Sequence, residues 1–204
     1  MSIDDPAKPA PRVRRSPEAA RENILAAAEA MLVESGPQSL KLADVAAQAG
    51  VVHATVLHHF GSIGGVQTAL MERMVRQLVE KVLETTTPTG DPVAMAGIGI
   101  TAMFDAFEGK GAARLAAWLE LTGESRRLTL VREAVREVVE TRISQRVPVP
   151  AEVLEDFMLV CITMALGAGL FGATLEGLLG KPAGRARALA LALLLSRAEL
   201  ATSA

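Results

Sequence analysis

His53, His58 and His59, all the histidines of this 204-residue chain, fall within seven residues of one another. Histidine can donate a hydrogen bond to a base edge or a phosphate, and its charge changes nearest to neutral pH. A metal site asks for more. No cysteine stands near these residues and no acid is well placed beside them at ligand spacing, so they read as surface contacts and not as zinc ligands. Lys41 and Thr55 add a cation and a hydroxyl to the same segment, and Ala54 sits among them. Arg12, Arg14 and Arg15 lie on a polar, proline-rich stretch just upstream, where a basic arm can reach into a minor groove.

These groups need a support, and residues 36 to 61, GPQSLKLADVAAQAGVVHATVLHHFG, supply one. They read as two short helices joined by a glycine turn, the layout of a helix-turn-helix whose second helix can lie in the major groove of DNA. Leu42, Val45, Ala46 and Ala49 recur at helical spacing and form one apolar face. Gly50 can leave the helix in a left-handed conformation at little steric cost. The second helix is expected from about His53 to His59, with Val56 and Phe60 inward and the histidines and Thr55 outward.

The stop signals set out the remaining elements. Ser16-Pro17-Glu18 combines a side-chain cap, a proline at the first helical position and an acid where the helix dipole favours it. Ile24, Leu25, Ala28, Met31 and Leu32 continue with helical period until Gly36-Pro37. Ser62 is placed to cap a long helix carrying Val66, Leu70, Met74, Leu78 and Val82 to about Thr85. Further helices are expected at about 92 to 108, 112 to 122, 126 to 145, 151 to 179 and 182 to 200. No strand-like alternation and no repeat stands out. The fold is expected to be all-α, a three-helix head with a C-terminal bundle of about six helices. Residues 1–15 read as a disordered arm, 16–61 as the DNA-binding domain and 62–204 as a ligand-binding and dimerisation domain.

Composition narrows the setting. The chain is 50% hydrophobic and 22% charged, contains no tyrosine, and has one cysteine, Cys161. A single cysteine rules out an intramolecular disulfide and a Cys-rich zinc site, in keeping with a reducing, cytoplasmic compartment. The polar N-terminus does not read as a signal peptide. Phe157 to Leu175 runs without a charge and approaches the length that spans a bilayer. Its flanks are acidic and lack basic or aromatic anchors, so a helix buried between subunits explains it better than a membrane span.

The head resembles that of the tetracycline-repressor (TetR) family of bacterial regulators. The resemblance rests on Arg21-x-x-Ile24-Leu25-x-Ala27-Ala28, Gly36, Asp44-Val45-Ala46-x-x-Ala49-Gly50-Val51 and Thr55-Val56-x-His58-His59-Phe60-x-Ser62. It implies a homodimer that binds palindromic operator DNA through the head and is released by a small apolar effector in the bundle, with no cofactor. Some positions depart from the family pattern. Leu57 stands where a phosphate-contacting tyrosine is usual and Ile63 where a lysine is usual; Lys41 and Val52 replace the Thr or Ser caps of the two helices. Gly64-Gly65 are expected to loosen the start of the linker helix, by about 1 kcal/mol per glycine relative to alanine.

Charge points the same way as these departures. From Met1 to Gly65 there are six lysines and arginines against seven acids, whereas DNA-binding heads are mostly basic. Few cations mean few neutralised phosphates, hence weaker binding with a shallow salt dependence.

Effector-lining residues are expected among Met74, Leu78, Met103, Phe104, Phe107, Trp118, Leu121, Met158 and Ile162, bulky apolar groups on successive helices. Asp105, Glu120, Thr122 and Thr163 are the polar candidates. Gly169, Gly172, Ala173, Leu191 and Leu195, on the last two helices, are expected at the dimer interface, where the family forms a four-helix contact. Two other functions fit parts of the chain: a TetR-like dimer whose head no longer binds DNA, and a dinucleotide-dependent enzyme using Gly167-x-Gly169-x-x-Gly172. The second lacks the acid about 20 residues on, because position 192 is alanine. No other catalytic motif is present, and no enzyme activity is expected.

Overall fold

The computed structural model describes residues 16–85, 92–127, 129, 132, 133, 136 and 150–202. The helix expected over 126 to 145 lies largely outside them, and so do Arg12, Arg14 and Arg15. The described residues form α1 (Pro17–Ser35), α2 (Leu42–Ala49), α3 (His53–Phe60), α4 (Ile63–Thr85), α5 (Pro92–Glu108), α6 (Ala112–Leu121), α7 (Ala151–Leu178) and α8 (Arg185–Thr202). Two 3-10 turns, Pro37–Ser39 and Glu124–Arg127, complete the set, and no strand occurs among the described residues. The protein is all-α, with a head of α1 to α3 and a bundle behind it.

Local chemistry explains the helix starts. The Ser16 hydroxyl accepts from the Ala19 amide at 3.2 Å. Glu18, in the same first turn, is held below the usual carboxylate range by a backbone amide and the Ser16 hydroxyl. A depressed carboxylate helps only while ionised. This contribution is therefore present above about pH 4.5 and is lost as pH falls through the lowered value. Ser62 caps α4 as expected, accepting from the Gly65 amide at 3.0 Å.

The two glycines after that cap do more than weaken a helix. A Cβ at Gly65 would collide with the Phe60 carbonyl oxygen of α3, and one at Gly64 would come within 3.1 Å of the Glu124 carboxylate. Gly65 thus lets the backbones of α3 and α4 meet, at a cost in helix propensity that close packing offsets.

One apolar cluster joins the head to the bundle. It combines Ile24, Leu25 and Leu32 of α1, Val45 of α2, Val56 of α3, Val66, Leu70 and Met74 of α4, and Leu115 and Leu119 of α6, all buried. Each such side chain contributes about 1.5–3 kcal/mol on burial. This core crosses the expected domain boundary at Gly61. Polar contacts reinforce the seam: Arg114 of α6 donates to the Val33 carbonyl at 2.9 Å, and Arg73 of α4 pairs with Glu22 and Glu29 of α1 at 3.5 and 3.2 Å.

A second cluster, Ile100 and Phe104 of α5, Cys161 and Ala165 of α7, and Ala190 and Leu194 of α8, holds the rest of the bundle, and Phe107 packs on both clusters. Burial pushes the Cys161 thiol up to about 11. Glu176, a buried acid of α7, accepts from the Gly184 and Ala186 amides at 3.0 and 2.7 Å and so caps the start of α8. Such amides are unpaired within a helix and carry its positive dipole end.

Candidate nucleic-acid interface and effector region

The turn between α2 and α3 is fixed from three sides. Gly50 takes the left-handed conformation (φ 66°, ψ 34°) and its amide reaches back to the carbonyls of Ala46 and Ala47. The Asn23 side chain of α1 donates to the Ala49 carbonyl at 2.7 Å, satisfying an end of α2 that the helix itself leaves open. Neither Lys41 nor Val52 supplies a side-chain cap, so α2 and α3 begin on tertiary packing alone.

That packing orients α3. Val56 is buried against the core and Phe60 packs at its edge, with the Arg21 guanidinium 4.7 Å from its ring. A cation over an aromatic face is an electrostatic contact, so Arg21 braces α3. His53, Ala54 and His58 are exposed, Thr55 and His59 half-buried, and Lys41 exposed at the start of α2. The His58 and His59 rings meet edge to face at 5.4 Å, and His59 is close enough to Glu18 to help lower its pKa. The structure therefore brings the histidines, Ala54 and Thr55 onto the outer side of one helix.

The acidity of the head is partly absorbed. Residues 16–61 hold two bases and five acids, but Glu22 and Glu29 are paired with Arg73 from α4. Ile63, where the family pattern suggests lysine, packs against the head core. Leu57 is 37% exposed and Val52 69% exposed.

The expected effector residues are spread over the two apolar clusters and the surface around them. Met74 and Phe104 are buried in different clusters, filling the core. Leu78, Met103, Phe107, Trp118, Met158 and Ile162 are half-buried, while Leu121 is 86% exposed at the end of α6, where the helix stops and its face runs out of neighbours. The polar candidates are mostly engaged locally. Thr122 and Thr163 hydroxyls donate to the Trp118 and Leu159 carbonyls at 2.8 Å each, and Asp105 pairs with Arg187 at 2.6 Å.

An open cavity of about 280 Å³ lies elsewhere, between α5, α7 and the start of α8, lined by Glu108, Gly169, Gly172, Glu176 and Arg187 among others. Arg187 also pairs with Glu108 at 3.2 Å, and its two acidic partners raise its pKa, Asp105 most. Neither Arg187 nor Glu176 was among the expected site residues. The visible signal was a lone acid closing a long apolar run, with two arginines starting the next helix.

Several expected interface residues face their own chain. A Cβ at Gly169 would lie 2.9 Å from the Ala113 Cβ, and one at Gly172 3.5 Å from the Ala186 Cβ. Leu191 and Leu195 pack on the α5–α7–α8 cluster. The small residues let helices of one subunit approach closely, which is why they turn inward; Ala173 is exposed. The outer face carries Val160, Phe171, Leu175 and Leu178 of α7, with Leu189 and Leu193 of α8. The Gly167–Gly172 stretch lies inside α7, so the strand and turn of a dinucleotide site are absent there.

Comparison with known proteins agrees with this anatomy. Residues 24–66 match the family model for bacterial regulatory proteins of the tetR family. An uncharacterised HTH-type transcriptional regulator of Mycobacterium tuberculosis is 29% identical over 108 residues, covering 53% of this chain and 52% of that protein. The match thus spans about half the length of this curated relative. Among solved structures, a transcriptional regulator from Rhodococcus sp. RHA1 superposes with a TM-score of 0.65 at 20% identity, over 90% of this chain and 95% of that one. The multidrug binding protein EbrR, complexed with proflavin, gives 0.53 at 20% identity, over 75% of this chain and 90% of that one. The head, over residues 24–66, is thus similar to that of the tetR family of bacterial regulatory proteins, and the all-helical fold is the one seen in solved transcriptional regulators.

Proposed function

We propose that this protein is a cytoplasmic, homodimeric transcription regulator, a repressor that binds palindromic operator DNA through α3 and is released by a small apolar effector. The observation that carries this proposal is the split of α3 into an inward face, with Val56 buried and Phe60 packed at the core's edge, and an outer face of His53, Ala54, Thr55 and His58. His59 flanks that face, Lys41 contributes a phosphate contact from α2, and Arg12, Arg14 and Arg15 serve the adjacent minor groove. The outer apolar face of α7 and α8 would meet its two-fold mate, placing two heads about 34–36 Å apart along one side of the duplex.

Release has a mechanical route. Because Leu115 and Leu119 of α6 belong to the same core as α1 and α4, an effector that displaces α6 moves the head as well. Phe107, Met103, Trp118, Met158, Ile162 and Leu78, which are half-buried, are the side chains proposed to contact it. That EbrR binds proflavin supports trying planar, apolar ligands. Trp118 is the single tryptophan, so its fluorescence should change on saturation with an effector drawn from such a panel; an unchanged spectrum removes it from the site.

The deciding experiment is a gel shift on duplexes flanking the chain's own gene at two salt concentrations. A retarded complex that weakens modestly with salt is expected, since few cations contact phosphate. The exposed Leu57 at a phosphate-contact position favours a second function, a ligand-binding dimer with a silent head. No complex at low salt would select it.

A further inference from the structure

The outer face of α3 is unusual in its chemistry. Residues 51–60, VVHATVLHHF, contain no Arg, Lys, Asn, Gln, Asp or Glu. Guanine is read most often by the paired donors of Arg or Lys, adenine by the amide of Asn or Gln, and cytosine by a carboxylate. None of these is available on the recognition helix. Apart from the single ring of His53, what it presents at its N-terminal end, the part that contacts base edges in a helix-turn-helix, is apolar. Val52 is 69% exposed, Ala54 is exposed one step into the helix, and Thr55 offers a methyl beside its hydroxyl. Only one major-groove feature is apolar, the C5-methyl group of thymine.

We infer that this head recognises its operator chiefly through thymine methyl groups, packed against Val52, Ala54 and the Thr55 methyl. The inference rests on the DNA-binding function proposed above. Val52 precedes the first turn of α3 and is not needed by the core, so its exposure has no structural use within the chain. Ala54, with the shortest side chain on this face, lets the helix backbone come close to the base edges. His53 at the start of α3 and His58 one turn beyond Ala54 each supply a single donor, enough to set orientation but not the two-point contact that identifies guanine or adenine. The consequence is a half-site rich in A·T pairs whose thymines lie in a fixed register.

Deoxyuridine tests this cleanly. It pairs as thymine does and presents the same minor groove, and it lacks only the methyl. Duplexes selected by the full-length protein from a randomised 24-bp pool would be resynthesised with deoxyuridine replacing thymine, first throughout and then one position at a time. Each thymine that is read should lose about four-fold in affinity, the worth of one buried methyl, multiplied across both half-sites. At one of these positions the loss should vanish in Val52→Ala, whose folding is checked by its melting temperature. Equal binding of thymine and deoxyuridine duplexes overturns the inference while leaving DNA binding intact. Failure to enrich any duplex overturns the DNA-binding function itself, and with it the inference.

Discussion

Asn23 holds the reading unit together through a bond that its position in α1 does not advertise. Its amide satisfies the Ala49 carbonyl at 2.7 Å, so Asn23→Ala should cost about 1–2 kcal/mol. In a chain of this size the melting temperature should fall by about 2–8 °C, read by calorimetry or circular dichroism. Gly65 gives a sharper test. Helix propensity alone says that Gly65→Ala stabilises α4 by about 1 kcal/mol. The collision with the Phe60 carbonyl reverses the sign, and a loss of about 1–3 kcal/mol is expected, as for overpacking. Gly64→Ala meets only the movable end of Glu124 and should be much milder. Cys161 allows a pH test. Its ordinary value is 9.0 and burial raises it to about 11, so between those limits the unfolded chain ionises first and stability falls as pH rises. Cys161→Ala should remove that share of the alkaline loss. At pH 8 the native thiol should also resist iodoacetamide that labels it fully after denaturation, because the thiolate is the nucleophile.

At the level of elements, the cap on α8 comes from another helix. Glu176→Ala strips two amides of their partner and should lower stability by about 1–2 kcal/mol, fraying α8 from its start as seen by amide exchange. Much of this layer was legible in the sequence. Pro17, Gly36, Gly50, Ser62 and the Pro-rich breaks are local signals acting on their own neighbourhood, and the helix ends fall close to them. The facing of α7 and α8 was not legible, because helices apolar on nearly every side carry no phase information. Glycines and alanines then serve equally well inside a subunit or between two, and Gly169 and Gly172 turned inward. Arg73, Arg187 and Glu176 escaped for a related reason: their partners are seven or more residues away or on another helix, where spacing rules do not reach.

On the scale of the whole molecule, the proposed dimer depends on the outer stripe of α7 and α8. Phe171 is 60% exposed in the isolated chain, and with Leu175 and Leu178 it lies along one side of α7. Phe171→Asp should leave the subunit folded, convert a dimer to a monomer in sedimentation, and abolish operator retention, since a single head offers half the contacts. A dimer insensitive to this change would move the interface elsewhere. The core that α1 to α4 share with Leu115 and Leu119 of α6 has its own consequence. The head is not a detachable cassette. Severed after Gly61, it would forfeit the walls supplied by α4 and α6 and could not be grafted onto a foreign effector module with its stability intact. An exchange of specificities between relatives would have to carry α4 and α6 along, so this protein has to be recombined as a single cooperative body.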